Sequence, residues 1–263
     1  MTLTLIFILL LRLESCVQLL LPCFVVCLSQ AHCIRKRKSC GSVFITICAG
    51  CRTGMGIKMK DLIVYVHGKG GSAGEAAYYK TLFPNREVIG FDYRSQTPWE
   101  AKKEFLAFFT EQRGRCEHLT LVANSIGAFF ALSSLDQTLV DRAYFISPIV
   151  DMENLICNMM QWSNVTEQEL AEKGEITTNF GETLSWAYLC YVRKHPIIWD
   201  VPTCILYGEH DNLTSIETVS SFATQHHADL TVMPDGEHWF HTEEQMQFLD
   251  HWVRERSLKD VCG

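Results

Sequence analysis

Leu119-Thr-Leu-Val-Ala-Asn-Ser-Ile-Gly-Ala128 is the segment on which the fold turns. A short apolar strand runs directly into Ser125, and a helix is expected at once over Ala128–Leu135. A serine at so sharp a strand-to-helix turn is held in a strained conformation with its hydroxyl lifted out. The residues two before and two after it must then be small, so that neighbouring backbones can pass. Here they are Ala123 and Gly127. A serine that merely caps a helix leaves a similar short trace, so the reading depends on what the rest of the chain supplies.

Working outward, apolar runs of strand length occur at Leu62–Val66, Glu87–Phe91, Leu119–Val122, Ala143–Ile146, Cys204–Tyr207 and Leu230–Met233. They are rich in Val, Ile, Leu and aromatics, as strands buried on both faces should be. Helix starts lie between them. Thr97-Pro-Trp-Glu100, Thr214-Ser-Ile-Glu217 and Thr242-Glu-Glu-Gln245 all have capping-box spacing, the first with Pro at the opening helical position. The last predicts a helix with Met246, Leu249, Trp252 and Val253 on one face. This alternation predicts an α/β fold, an open and mostly parallel sheet with helices on both faces. Between Ser147 and Val201 no strand pattern occurs, which predicts a helical cap over about residues 150–200, its own core built from its Met and aromatic residues.

In such sheets, sites form at the carboxyl ends of strands. A serine nucleophile needs a base, and the base needs an orienting carboxylate. On this topology they should follow at the ends of later strands, acid first and histidine second. Cys204–Tyr207 leads into Gly208-Glu-His-Asp211, and Leu230–Met233 into Pro234-Asp-Gly-Glu-His238. Both slots are filled in order. Glu209 is the rival acid, and His241, placed where the last helix begins, is the rival base. His67 reads as a structural histidine, and His226 and His227 as a solvated helix end.

On these motifs, residues 60–256 resemble a serine hydrolase of the α/β-hydrolase superfamily, esterase- or lipase-like with a helical cap. The resemblance implies Ser125 as nucleophile, Asp211 as triad acid and His238 as base. His67-Gly68 resembles the family's His-Gly dipeptide, which implies an oxyanion hole at the backbone N–H groups of Lys69 and Ile126. Gly90-Phe-Asp92-Tyr-Arg94 resembles its Asp-x-Arg turn. The family usually has glycine where this chain has Ala123, and the extended glycine run of some lipases is missing. The implied reaction is cleavage of a carboxylic ester of a small or medium-sized acyl substrate, with no cofactor and no metal.

The chain has 263 residues, 48% of them apolar and 20% charged, enough for a sizeable core. Charge and cysteine divide near residue 54. Residues 1–54 hold six Lys/Arg, one acid and seven of the 12 cysteines. The remainder is strongly acidic, a poor match for nucleic acid. Its five scattered cysteines read as isolated thiols of a reduced, cytoplasmic protein. The apolar runs Leu3–Leu11 and Val17–Leu28 are each too short to span a bilayer and are separated by Arg12 and Glu14. Residues 1–54 are therefore expected to lie outside the fold as an upstream extension, translation starting at Met55 or Met59. A membrane anchor with the domain at 55–263 in the cytoplasm is the rival. Cys48-Ala-Gly-Cys51 lacks a second ligand pair of zinc-site spacing. The sequon Asn212-Leu-Thr adjoins the expected acid, which favours a compartment without N-glycosylation.

Two other functions fit parts of the chain. Gly68-Lys-Gly70-Gly-Ser-Ala73, with Asp92 at the end of the next strand, matches a dinucleotide fingerprint and suggests an oxidoreductase. It leaves Ser125, Asp211 and His238 unexplained. A ligand-binding protein that keeps the fold without turnover is the other.

Overall fold

A computed structural model describes residues 59–259. The leader at 1–54, Met55, the Cys48/Cys51 pair and Cys262 lie outside the described residues.

Six strands form one sheet: β1 (Met59–Val66), β2 (Glu87–Phe91), β3 (Cys116–Asn124), β4 (Arg142–Ile146), β7 (Thr203–Gly208) and β8 (Asp229–Met233). Each coincides with an expected apolar run. Their order is β2-β1-β3-β4-β7-β8, and every pairing is parallel. Residues of a strand alternate between faces, and β1 shows the result. Leu62, Val64 and Val66 enter one core cluster and Ile63 and Tyr65 the other, all of them fully buried. Helices α1 (Ala76–Tyr79) and α8 (Glu243–Lys259) cover the second face. The first face is covered by α2 (Pro98–Arg115), α3 (Ser125–Leu132) and α7 (Ile216–Gln225). Leu249, Trp252 and Val253 of α8 are buried as its amphipathic pattern requires, with Met246 packed beside them.

The box at Thr97 forms, Glu100 N–H donating to the Thr97 hydroxyl and the Glu100 carboxylate accepting from the Thr97 N–H. So does the box at Thr242 with Gln245. The box at Thr214 does not. Ser215 caps α7 instead, accepting from Thr218 N–H, because Thr214 is buried and its N–H serves Asp211. His226 is likewise no solvated end. It is half-buried, its Nδ1 within 2.8 Å of the Trp199 carbonyl and its ring tilted against Phe222.

The cap follows β4. It contains α4 (Met152–Trp162), α5 (Glu167–Lys173) and α6 (Trp186–Lys194), as expected, but also a short antiparallel hairpin of β5 (Glu175–Thr177) and β6 (Thr183–Ser185). Three-residue strands are too brief to leave an alternating pattern in sequence. Its core also departs from expectation. Met160 is buried as foreseen, but Leu170, Leu184 and Leu189 fill the centre, while Trp162 and Phe180 stay exposed and meet edge to face at 6.2 Å. Among the described residues no helix is long and apolar enough to cross a membrane.

Candidate active site

The sheet order reverses between β1 and β3, because the chain leaves β1 for β2 on one side and then crosses to β3 on the other. Such a switch point opens a crevice at the carboxyl ends of its two strands. Ser125 stands there, immediately after β3, with φ 48°. A non-glycine residue in that region stores strain and persists only where its surroundings enforce it. The enforcement is steric. A Cβ at Gly127 would lie 2.3 Å from the His67 carbonyl oxygen, and one at Gly68 would lie 3.3 Å from the Ser125 Cβ. The loop after β1 thus presses directly on the turn. Helix α3 begins at Ser125 itself, three residues earlier than the sequence suggests.

Asp211 and His238 arrive from the loops after β7 and β8. A close glycine contact joins those loops, since a Cβ at Gly208 would sit 2.5 Å from the Glu237 carbonyl oxygen. Backbone bonds lock the approach, His210 N–H to Gly236 O at 2.7 Å and Glu209 N–H to Met233 O at 3.0 Å. The Asp211 side chain is wholly buried, so its oxygens need donors. Oδ1 accepts the N–H groups of Leu213 (2.8 Å) and Thr214 (3.0 Å), and Oδ2 lies 2.6 Å from His238 Nδ1. Tyr207 fixes this turn by donating its hydroxyl to the Thr214 carbonyl at 2.8 Å. Burial, with the Asp211 charge second, pushes the Tyr207 phenol up to about 12, so the donor stays protonated.

His238 Nε2 lies 2.9 Å from Ser125 Oγ, which completes a chain from carboxylate to imidazole to hydroxyl. With its proton on Nδ1, the ring donates to Asp211 and accepts from Ser125. The rivals fall elsewhere. Glu209 is exposed and accepts the Asp235 N–H. His241 Nδ1 faces the Trp239 carbonyl at 2.7 Å. His67 keeps its Nδ1 near the Gly68 carbonyl and stacks on Tyr93, whose hydroxyl donates to the His67 carbonyl at 2.9 Å.

Lys69 follows Gly68 on the same loop, and its ammonium pairs with Glu182 beside the cap hairpin. Ile126 lies in the first turn of α3, where backbone N–H groups have no intrahelical partner. The glycine-rich loop passes into a three-residue 3-10 turn and the four-residue α1, in place of the long helix that a dinucleotide fingerprint should open. Two contacts near these residues left no sign in the sequence, the Lys69–Glu182 pair and the Thr214 N–H on the Asp211 carboxylate. The first joins residues 113 apart, and the second was masked by its resemblance to a capping box. An open groove of about 560 Å³ between α4, α6 and α7, lined in part by Phe129, Met152 and Phe222, contains none of Ser125, Asp211 or His238.

Among solved structures, Est1E from Butyrivibrio proteoclasticus aligns over 78% of this chain and 90% of its own, with TM-score 0.62 at 13% identity. The mouse protein named alpha/beta hydrolase domain-containing protein 10 aligns over 77% and 90%, with TM-score 0.57 at 18% identity. The fold is that of the α/β-hydrolases. No family model matches the chain. One curated relative, "Putative esterase/lipase 3" of Mycoplasma genitalium, is 28% identical over 106 residues. That match takes in 39% of this chain and about a third (36%) of the relative's length. Within the α/β-hydrolase fold, Ser125 directly follows β3, and Asp211 and His238 lie in the loops after β7 and β8.

Proposed function

We propose that the protein is a serine hydrolase that cleaves a carboxylic ester of a small or medium-sized acyl substrate. The observation that carries this reading is the unbroken Asp211–His238–Ser125 chain, at 2.6 and 2.9 Å, ending on a serine held at φ 48°. Ser125 attacks the acyl carbonyl while His238 Nε2 takes its proton. Asp211 holds the Nδ1–H tautomer and stabilises the imidazolium that forms. The N–H groups of Lys69 and Ile126 receive the oxyanion, a kind of contact worth about 100–1000-fold in rate per donor. His238 then returns the proton to the leaving alcohol, and water releases the acyl group through the same base. The names of the relative and of Est1E, and the hydrolase fold, support the class. The acidic composition beyond residue 54 and its scattered cysteines support a small-molecule substrate, without nucleic acid, in the cytoplasm.

The test is covalent. The full chain is exposed to a fluorophosphonate and the adduct is mapped by mass. The expected result is one adduct at Ser125, absent from Ser125→Ala, and hydrolysis of p-nitrophenyl esters reduced in that variant by a factor on the order of 10⁴ or more. A folded wild type that stays unlabelled and hydrolyses no ester would favour a ligand-binding protein that keeps the fold without turnover.

A further inference from the structure

Glu75 stands outside the Ser125–His238–Asp211 chain, yet hydrogen bonds lead from it to the residue beside the serine. Its Oε2 accepts the Tyr65 hydroxyl at 2.5 Å, and that phenol oxygen accepts from Asn124 Nδ2 at 3.0 Å. Its Oε1 accepts the Ser72 N–H at 2.9 Å. Tyr65 is fully buried in β1, its ring stacked on Tyr79 at 4.8 Å. Two strands and one loop are therefore joined by a single polar chain inside an apolar face, where each bond is strong and a missing partner costly.

The loop that Glu75 closes runs from Gly68 to Ser72 and includes Lys69. Its other ties include a backbone bond from Gly71 N–H to Gly68 O at 3.2 Å and the exposed Lys69–Glu182 pair. Gly68, Gly70 and Gly71 offer no side chains for packing, and Gly70 adopts φ 74°. A Cβ at Gly71 would lie 2.7 Å from Glu75 Oε1, so the glycine there makes room for the carboxylate. This gives the glycine-rich motif a purpose that requires no phosphate. The Tyr93 hydroxyl holds the near end of the loop at His67, and Glu75 holds the far end.

We propose that Glu75 is a positioning residue, setting through Tyr65 and Asn124 the distance between the Lys69 backbone donor and Ser125. The inference rests on the reading of Ser125 as nucleophile. A shift of the loop by a fraction of an ångström would leave the serine and its base in contact yet misplace the oxyanion donor. The cost would fall on the rate of bond formation and not on reagent binding.

The experiment is fluorophosphonate inactivation of the full chain, with the maximal rate and the half-saturating concentration fitted separately. Wild type is compared with Glu75→Ala, Asn124→Ala, their double variant and Tyr65→Phe, which keeps the aromatic stack. The expected result is a maximal rate lowered about tenfold or more in Glu75→Ala and Tyr65→Phe, with half-saturation unchanged. The double variant should be no slower than the slower single one, because both break the same chain. Folded Glu75→Ala and Tyr65→Phe proteins that react at the wild-type maximal rate would overturn the positioning role. If Glu75→Ala fails to fold, Tyr65→Phe decides alone. A wild type that never reacts at Ser125 defeats the nucleophile reading and the positioning role with it. A reactive wild type beside unaffected variants defeats the positioning role only.

Discussion

The sheet and the cap are held together by different physics. In the sheet, all strands pair in parallel and the central ones are buried on both faces, so position is set by close packing and by backbone contacts that only glycine allows. Gly127 against His67 and Gly208 against Gly236 and Glu237 are the contacts that matter most for the site. The cap segment buries Leu170, Leu184 and Leu189 at its centre, and exposed polar groups also join its elements. Arg193 on α6 donates to Glu153 on α4 at 2.7 Å and to Glu167 on α5 at 2.6 and 2.9 Å, and Lys69 reaches Glu182 near the hairpin. Close packing resists displacement, whereas exposed ion pairs contribute little each and yield to salt. Ser125, Asp211 and His238 all follow strands of the sheet, and Lys69 on the loop after β1 meets Glu182 of the cap segment.

The strongest way to break this contrast is chemical. Asp211→Asn keeps the shape of the acid but alters which tautomer of His238 is favoured, and the Leu213 and Thr214 donors still find an oxygen on the amide. Esterase activity should fall by about 10⁴-fold while the melting temperature changes little. Ester turnover beside a melting curve checks it. A variant that retained near wild-type activity would move the base's orientation to some other group.

The next effect is steric. In Gly127→Ala the new methyl, placed 2.3 Å from the His67 carbonyl oxygen, cannot be accommodated unless the loop after β1 moves. A loss of about 1–3 kcal/mol is expected from overpacking of this kind, seen as an earlier midpoint in urea with an unchanged slope. Fluorophosphonate labelling should slow as well, since the loop that moves bears Lys69, the proposed oxyanion donor. A variant of full stability would mean that the turn at Ser125 is less constrained than its φ of 48° indicates.

The same contrast governs what could be read without a structure. The sheet was legible because burial on both faces leaves continuous apolar runs, and because strand order then dictates where acid and base must fall. Glu209 is disfavoured because its side chain leaves the strand end in a different direction, and His241 because it sits where a helix begins, which leaves Asp211 and His238. The cap was legible only as an interruption. Its hairpin has three-residue strands, too short to show a period, and its core uses Leu170, Leu184 and Leu189 where aromatics were expected. Thr214 illustrates a subtler limit. Thr214-Ser-Ile-Glu217 satisfies the pattern of a capping box, but the tertiary demand of a buried carboxylate claimed the Thr214 N–H, and the cap shifted to Ser215. Pairings that join distant residues, such as Lys69 with Glu182 and Tyr65 with Glu75 and Asn124, leave no local signal at all.

The smallest effect tests the cap side of the comparison. Arg193 hydrogen-bonds Glu167 and holds its carboxyl below the usual carboxylate range. A carboxyl whose pKa is lower in the folded state adds stability at pH values above its unfolded pKa, and that stability is lost as pH falls through the folded value. Acidification below about pH 4.5 should therefore loosen the link between α5 and α6, and added salt at neutral pH should do the same in milder form. Arg193→Met should produce that state at every pH. Amide exchange over Glu167–Lys173 should quicken and lose its sensitivity to salt, while the melting temperature and the rate of Ser125 labelling stay close to wild type. If labelling instead slowed in step with exchange, the cap would take part in holding the site, and rigidity at Ser125 would no longer belong to the sheet alone.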